Sequence, residues 1–155
     1  MARPDGIHSY TARARNWSPV LIWMITIFLF SSDLFSAANT TPLIAPILSS
    51  LFPDLQASHL ENLILAIRKL AHLSEYFILA WLLMRALLAE HSTPSRGRRL
   101  VYCIVWVVVY AISDELHQAF VPSRTASVGD VLIDALGGVL GSLWFHLRNR
   151  HSGST

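Results

Sequence analysis

The chain has 155 residues, 53% of them hydrophobic and only 14% charged, with a net charge of +2 and a mean hydropathy of +0.45. Soluble domains carry roughly a quarter charged residues, so this balance excludes an ordinary soluble enzyme and points to an integral membrane protein. The lone Cys103 excludes a disulfide framework, and the scattered arginines are too sparse for a nucleic-acid site.

Four apolar stretches predict an all-α fold, a bundle of four transmembrane helices forming one domain over residues 1–155. Each approaches the ~20 residues that cross about 30 Å of hydrocarbon. The first runs from about Trp17 to Phe35, behind Arg3, Arg13 and Arg15. It has a rival reading as a secretory signal, with Ser36-Ala37-Ala38 as the small-residue cleavage site. The uncleaved helix is preferred, because it satisfies the arginine pattern of the whole chain. Next, Leu43, Ile44, Ile47, Leu48 and Leu51 recur at helical spacing, interrupted by Pro42, Pro46 and Pro53. They predict a short amphipathic helix in the first outer loop, lying on the membrane surface. A sharper reading makes it a lid over something beneath.

The second span, Leu63 to Leu88, carries RKLAHLSEYF. At 100° per residue Arg68, Lys69, His72, Glu75 and Tyr76 fall within an arc of about 120°. Arg68 and Arg85 read as interfacial anchors. The third span, Leu100 to Gln118, places Asp114, Glu115 and Gln118 on one face, with His117 further round. The fourth, Val128 to Leu147, lines up Asp130 and Asp134 with Gly137 and Gly141. Ser127 suits an N-cap with Asp130 in the first turn, and Gly137-x-x-x-Gly141 suits close helix packing.

The arginines fall before the first span, between the second and third (Arg96, Arg98, Arg99) and at the end (Arg148, Arg150). The positive-inside rule therefore predicts both termini in the cytoplasm. Counted from those inner ends at 1.5 Å per residue, His72, Asp114 and Asp134 all come out roughly 20 Å up. A charge at such depth costs at least ~2.5–3.5 kcal/mol, so these groups should face one another in a polar pocket in the outer half of the bilayer. Arg124, in the last outer loop, serves either to neutralise the acids or to grip an oxyanion with its planar fork.

These blocks resemble the VanZ-like family of small bacterial membrane proteins. Lys69, His72 and Tyr76 fit its K-x-x-H-x-x-x-Y pattern, and Asp114, Glu115, Gln118, Arg124 and Asp130 fit D-E-x-x-Q followed by a short loop, R and D. The chain departs from the pattern at Asp134, where asparagine is common, and at Ser123, where glycine is. Asp134 adds a negative charge that can share a proton with Asp130 or Asp114. The resemblance implies a multi-pass protein of the bacterial cytoplasmic membrane. The family is linked to low-level resistance to teicoplanin-type glycopeptides, by a route other than remodelling the peptidoglycan terminus.

Three functions compete. In the first, Lys69, His72, Tyr76, Asp114, Glu115, Gln118, Arg124, Asp130 and Asp134 bind an anionic membrane lipid or cell-envelope precursor, for which a lipoglycopeptide would compete. In the second, carboxylates share a divalent cation in a lipid-phosphate enzyme, with His72, Glu75, Asp114 and Glu115 as candidate catalytic groups. The third is a lipid flippase or proton-coupled transporter. No G-x-S-x-G, H-E-x-x-H or nucleotide loop occurs.

Overall fold

A computed structural model describes residues 5–90 and 95–149, with side chains from residue 11 onward. Arg3 and Arg150, used above for orientation, lie outside the described residues. Five α-helices follow one another: α1 (Asp5–Phe30), α2 (Ala37–Leu51), α3 (Ala57–Leu88), α4 (Arg96–Ala119) and α5 (Val128–Arg148). A 3-10 turn, Asp33–Phe35, separates the first two, and no strand occurs among the described residues.

Local chemistry explains where the helices begin and end. Pro19 lies inside α1 and cannot donate to the Arg15 carbonyl. Ser18 Oγ donates to that carbonyl instead, at 3.4 Å. Ser36 caps α2, its hydroxyl accepting from the Asn39 amide at 3.3 Å. The helix continues through Pro42 and Pro46, which were expected to interrupt it. Each proline removes one donor while its fixed φ stays helical. Pro53 has the stronger effect, because it disfavours helical geometry in the residue before it; α2 accordingly ends at Leu51 and Phe52 turns away. Ser127 caps α5 as expected, accepting from the Gly129 amide at 3.1 Å.

Among the described residues, three stretches are long and apolar enough to cross a membrane: Asp33–Leu51, Arg96–Ala119 and Val128–Arg148, with mean hydropathies of 1.2, 1.5 and 1.5. The last two match the expected third and fourth spans. The expected 17–35 and 63–88 spans are not among the three. Both helices that contain them carry polar residues: α1 opens in DGIHSYTARARN, and α3 holds Arg68, Lys69, Glu75 and Arg85. The Asp33–Leu51 stretch is no straight rod, since Ser36 is extended at φ −63°, ψ 163°.

Packing centres on α3. Its Tyr76, Leu79, Ala80, Leu83 and Met84 meet Val20 and Ile27 of α1, Cys103 and Val107 of α4, and Phe145 of α5 in one core. The closest approach is to α5. A Cβ on Gly137 would overlap the Leu73 carbonyl oxygen, and one on Gly141 the Phe77 carbonyl oxygen. Gly138 is held as closely by the Val107 side chain of α4. The glycine stripe is therefore a packing surface, as its spacing suggested. Ser142 fills the seam between α4 and α5, donating to the Gly138 carbonyl at 2.7 Å and to Cys103 Sγ at 3.4 Å.

Two aromatic side chains fasten α1 to this core. Trp23 Nε1 donates to the Glu75 carbonyl at 2.8 Å, and Tyr110 OH to the Met24 carbonyl at 2.6 Å. At the far end of α3, Glu90 accepts from Trp17 Nε1 at 2.5 Å and Arg13 Nε at 3.1 Å. Apolar side chains cover the outside. Leu21 and Ile22 on α1, Leu43 on α2, Val101 on α4 and Leu132 on α5 are all more than half exposed. Soluble monomers rarely display apolar area on that scale. Hydrocarbon is the solvent such a surface suits.

Candidate functional site

The polar faces of α3, α4 and α5 meet at one end of the bundle, where the loop of residues 120–127 and the turn Asp33–Phe35 close over them. Lys69 Nζ on α3 donates to Asp130 Oδ1 on α5 at 2.7 Å. One turn further along both helices, His72 Nδ1 lies 3.2 Å from Asp134 Oδ1. The Lys69 side chain is 42% exposed while that of Asp134 is fully buried, so the two pairs step from rim to interior.

On α4, Asp114, Glu115 and Gln118 are all buried. Gln118 Nε2 donates to Asp114 Oδ2 at 3.2 Å, a contact between successive turns of one helix. Glu115 Oε2 accepts the Ser127 backbone N–H at 2.7 Å, holding the start of α5. The other oxygen of each carboxylate, Asp114 Oδ1 and Glu115 Oε1, has no hydrogen-bond partner among the described residues, and neither has Asp134 Oδ2. Tyr76 is fully buried with its hydroxyl in the same condition, its ring 6.2 Å from that of Tyr110. His72, Glu115 and Asp134 each offer a ligand atom within 4.8 Å of the other two, a set able to hold a metal ion.

Arg124 does something the sequence did not suggest. Its Nε and Nη2 donate to the Ser32 carbonyl, at 3.3 and 3.1 Å, and Nη2 also donates to the Phe30 carbonyl. Phe30 ends α1, where carbonyls lack a helical partner and a cation favours the helix dipole, and the Ser32 carbonyl just beyond it also accepts the Phe35 N–H at 3.3 Å. Beside it, Ser123 Oγ donates to Asp33 Oδ1. Burial and the neighbouring Arg68 push the Arg124 guanidinium below its usual range, while Asp114, Glu75 and Glu115 oppose that shift. An arginine keeps its proton through such shifts.

Beneath α2 lies a cavity of about 250 Å³. Phe30, Phe35, Ile44 and Ile67 supply its apolar side, and Arg68, His72, Glu75, Gln118 and Arg124 its polar side. A second cavity of about 170 Å³ shares Arg68, His72, Gln118 and Arg124 and adds Lys69 and Asp130. Arg68 therefore turns inward, its Nη1 3.4 Å from Thr40 Oγ1 on α2, and does not serve as the outward anchor expected of it. With Thr40 and Ile44 in the wall, α2 roofs the cavity while Leu43 and Ile47 point outward. One face of α2 thus covers the cavity and the other is exposed.

Every candidate residue thus lies at this end, in contacts of different kinds. Sequence reasoning missed Phe35, Thr40 and Ile44 as walls and Asp33 as a loop anchor. Thr40 and Ile44 had one signal, the outward-inward alternation of α2, while Asp33 and Phe35, in the turn before it, had none.

A model of the VanZ/LLP1 family matches residues 17–149. The chain belongs to the VanZ/LLP1 family. With its apolar helices, this makes it a VanZ-like membrane protein. The matched region runs from Trp17, which binds Glu90, to the end of α5, so it includes every side chain of the site. No curated protein and no solved structure matches the chain.

Proposed function

We propose that this VanZ-like protein binds the phosphate-bearing headgroup of an anionic lipid or lipid-linked cell-envelope component in the cavity beneath α2. One observation carries the reading: the cavity pairs the Arg68 and Arg124 cations with the apolar side chains of Phe30, Phe35, Ile44 and Ile67. An amphiphile has the matching halves. Arginine is suited to phosphate, because its planar fork makes charge-assisted bonds in pairs.

In this reading α1, α3, α4 and α5 are four spans and α2 lies over the cavity at the outer surface. The exposed apolar side chains of α1 from Leu21 onward, with Ile22, Ile25, Phe28 and Leu29, support its place in the bilayer. The basic residues Arg13, Arg96, Arg98, Arg99 and Arg148 at the opposite end support cytoplasmic termini in a bacterial inner membrane. A lipid-tailed glycopeptide of the teicoplanin type would compete for the same surface, and that competition is the proposed route to resistance.

The test is native mass spectrometry of the tag-free protein with phosphatidylglycerol and with diacylglycerol of the same chains. Phosphatidylglycerol should be retained preferentially, and Arg68→Gln should weaken that preference by about tenfold, the loss of one charge-assisted bond. Equal retention of the two lipids overturns the reading. A second reading, a lipid-phosphate enzyme, is favoured by the His72 imidazole at the cavity's polar side. Release of inorganic phosphate or headgroup from a bound lipid would decide for it.

A further inference from the structure

We propose that His72, Glu115 and Asp134 form a binding site for one divalent transition-metal ion of the Zn2+ or Mn2+ class. The three residues come from α3, α4 and α5, and their ligand atoms all lie within 4.8 Å of one another. Two ligands of one ion stand no more than twice the metal–ligand distance apart, about 4–4.5 Å for nitrogen and oxygen donors. His72 Nδ1 and Asp134 Oδ1 stand 3.2 Å apart, well inside that limit. With every donor pair within 4.8 Å, the set needs to close by no more than a few tenths of an ångström to hold an ion.

An independent observation points the same way. Glu115 is 5% exposed and Asp134 0%, yet Glu115 Oε1 and Asp134 Oδ2 have no hydrogen-bond partner among the described residues. A buried polar atom left in this state is destabilising, more so when it is charged. Asp114, also buried with Oδ1 unpartnered, adds to the surplus of acceptors.

Among the described residues no neighbouring lysine or arginine hydrogen-bonds to Glu115 or Asp134. Lys69 holds Asp130, Arg124 holds the end of α1, and Arg68 reaches Thr40. An ion would satisfy the spare oxygens of two helices at once. Donor chemistry narrows the choice: an imidazole nitrogen with carboxylate oxygens suits Zn2+ or Mn2+ better than the all-oxygen cations Mg2+ and Ca2+. Three protein ligands leave a position open on a four-coordinate ion. This inference goes beyond lipid binding and stands without it, although His72 belongs to both the ion site and the cavity.

The experiment uses tag-free full-length protein in dodecyl maltoside, dialysed against EDTA and then titrated calorimetrically with ZnCl2 and with MnCl2. One of the two should bind at one equivalent per chain and raise the melting temperature. Asp134→Asn and Glu115→Gln should each lower that affinity by at least tenfold, and Glu61→Gln, at an exposed position early in α3, should leave it within about twofold. Glu115→Gln keeps an oxygen for the Ser127 amide, so it reports on the ion even if Asp134→Asn fails to fold. If the folded, EDTA-treated parent takes up neither ion, the proposal is overturned; a purely proton-sharing cluster gives that result. Uptake that Glu115→Gln leaves unchanged also overturns it, since it places the ion elsewhere. Ion binding with no preference for phosphatidylglycerol removes the lipid reading alone.

Discussion

His72 on α3 and Asp134 on α5 stand 3.2 Å apart, one helical turn from the point where Gly137 brings the two backbones together beside Leu73. The small residue and the polar pair depend on each other. Without the glycine the helices would stand too far apart for an imidazole to reach a carboxylate. Without the pair, two polar groups would face each other unsatisfied inside an apolar bundle.

Coupling between these two side chains is therefore measurable. A double-mutant cycle of His72→Ala and Asp134→Ala, followed by thermal unfolding in detergent, should give an interaction energy of about 0.5–3 kcal/mol, the range for residues in direct contact. Strict additivity would mean the two groups stabilise the fold independently.

Asp114→Ala strands the buried Gln118 amide that now donates to it. The expected loss is about 1–3 kcal/mol. Glu61→Ala, at an exposed position early in α3, should change stability by no more than about 0.5 kcal/mol. Glu90 is unsuitable as the comparison, because it accepts from both Trp17 and Arg13. Equal melting temperatures for the two variants would contradict a buried Asp114 that holds Gln118.

Glycine substitutions should divide by position. Gly141→Ala drives a methyl into the Phe77 carbonyl, and rigid backbone on both sides leaves no cheap relief. A loss of about 1–3 kcal/mol or more is expected. Gly97→Ala, with nothing within 4 Å of the new methyl, should stabilise α4 by up to about 1 kcal/mol through helix propensity. Opposite signs in the two melting curves are the check.

Arg124→Lys keeps the charge but gives up the fork that spans the Phe30 and Ser32 carbonyls. Stability should fall by about 1–2 kcal/mol, the scale of lost charge-assisted bonds to backbone. Phosphatidylglycerol retention should fall with it, since the same side chain lines the cavity. A lysine variant with the parent's melting temperature would show that the α1 carbonyls are satisfied without the guanidinium.

Orientation can be read by thiol labelling from outside intact cells. Cys103 is buried and stays silent. Ala126→Cys, in the exposed loop before α5, should react at once, while Arg98→Cys should react only after permeabilisation. The reverse pattern would place the site at the inner leaflet.

The amino-acid sequence by itself determined the helical class, the ends of α4 and α5 to within a few residues, and the polar face of each helix. Those properties follow from local rules: 3.6-residue periodicity, cap chemistry and the cost of charge in hydrocarbon. The glycine stripe was equally legible, since only close packing explains that spacing on an apolar helix. Tertiary structure alone decided which acid meets which base. That outcome depends on the register between α3 and α5, which the Gly137 and Gly141 contacts fix and no single helix encodes. It also decided that Arg68 turns inward under α2 and that Arg124 clasps carbonyls 92 or more residues earlier in the chain. An arginine in a loop has no periodicity to betray its direction. Its partners are backbone oxygens, which every residue carries, so only the meeting of the α1 terminus with the loop before α5 could select them.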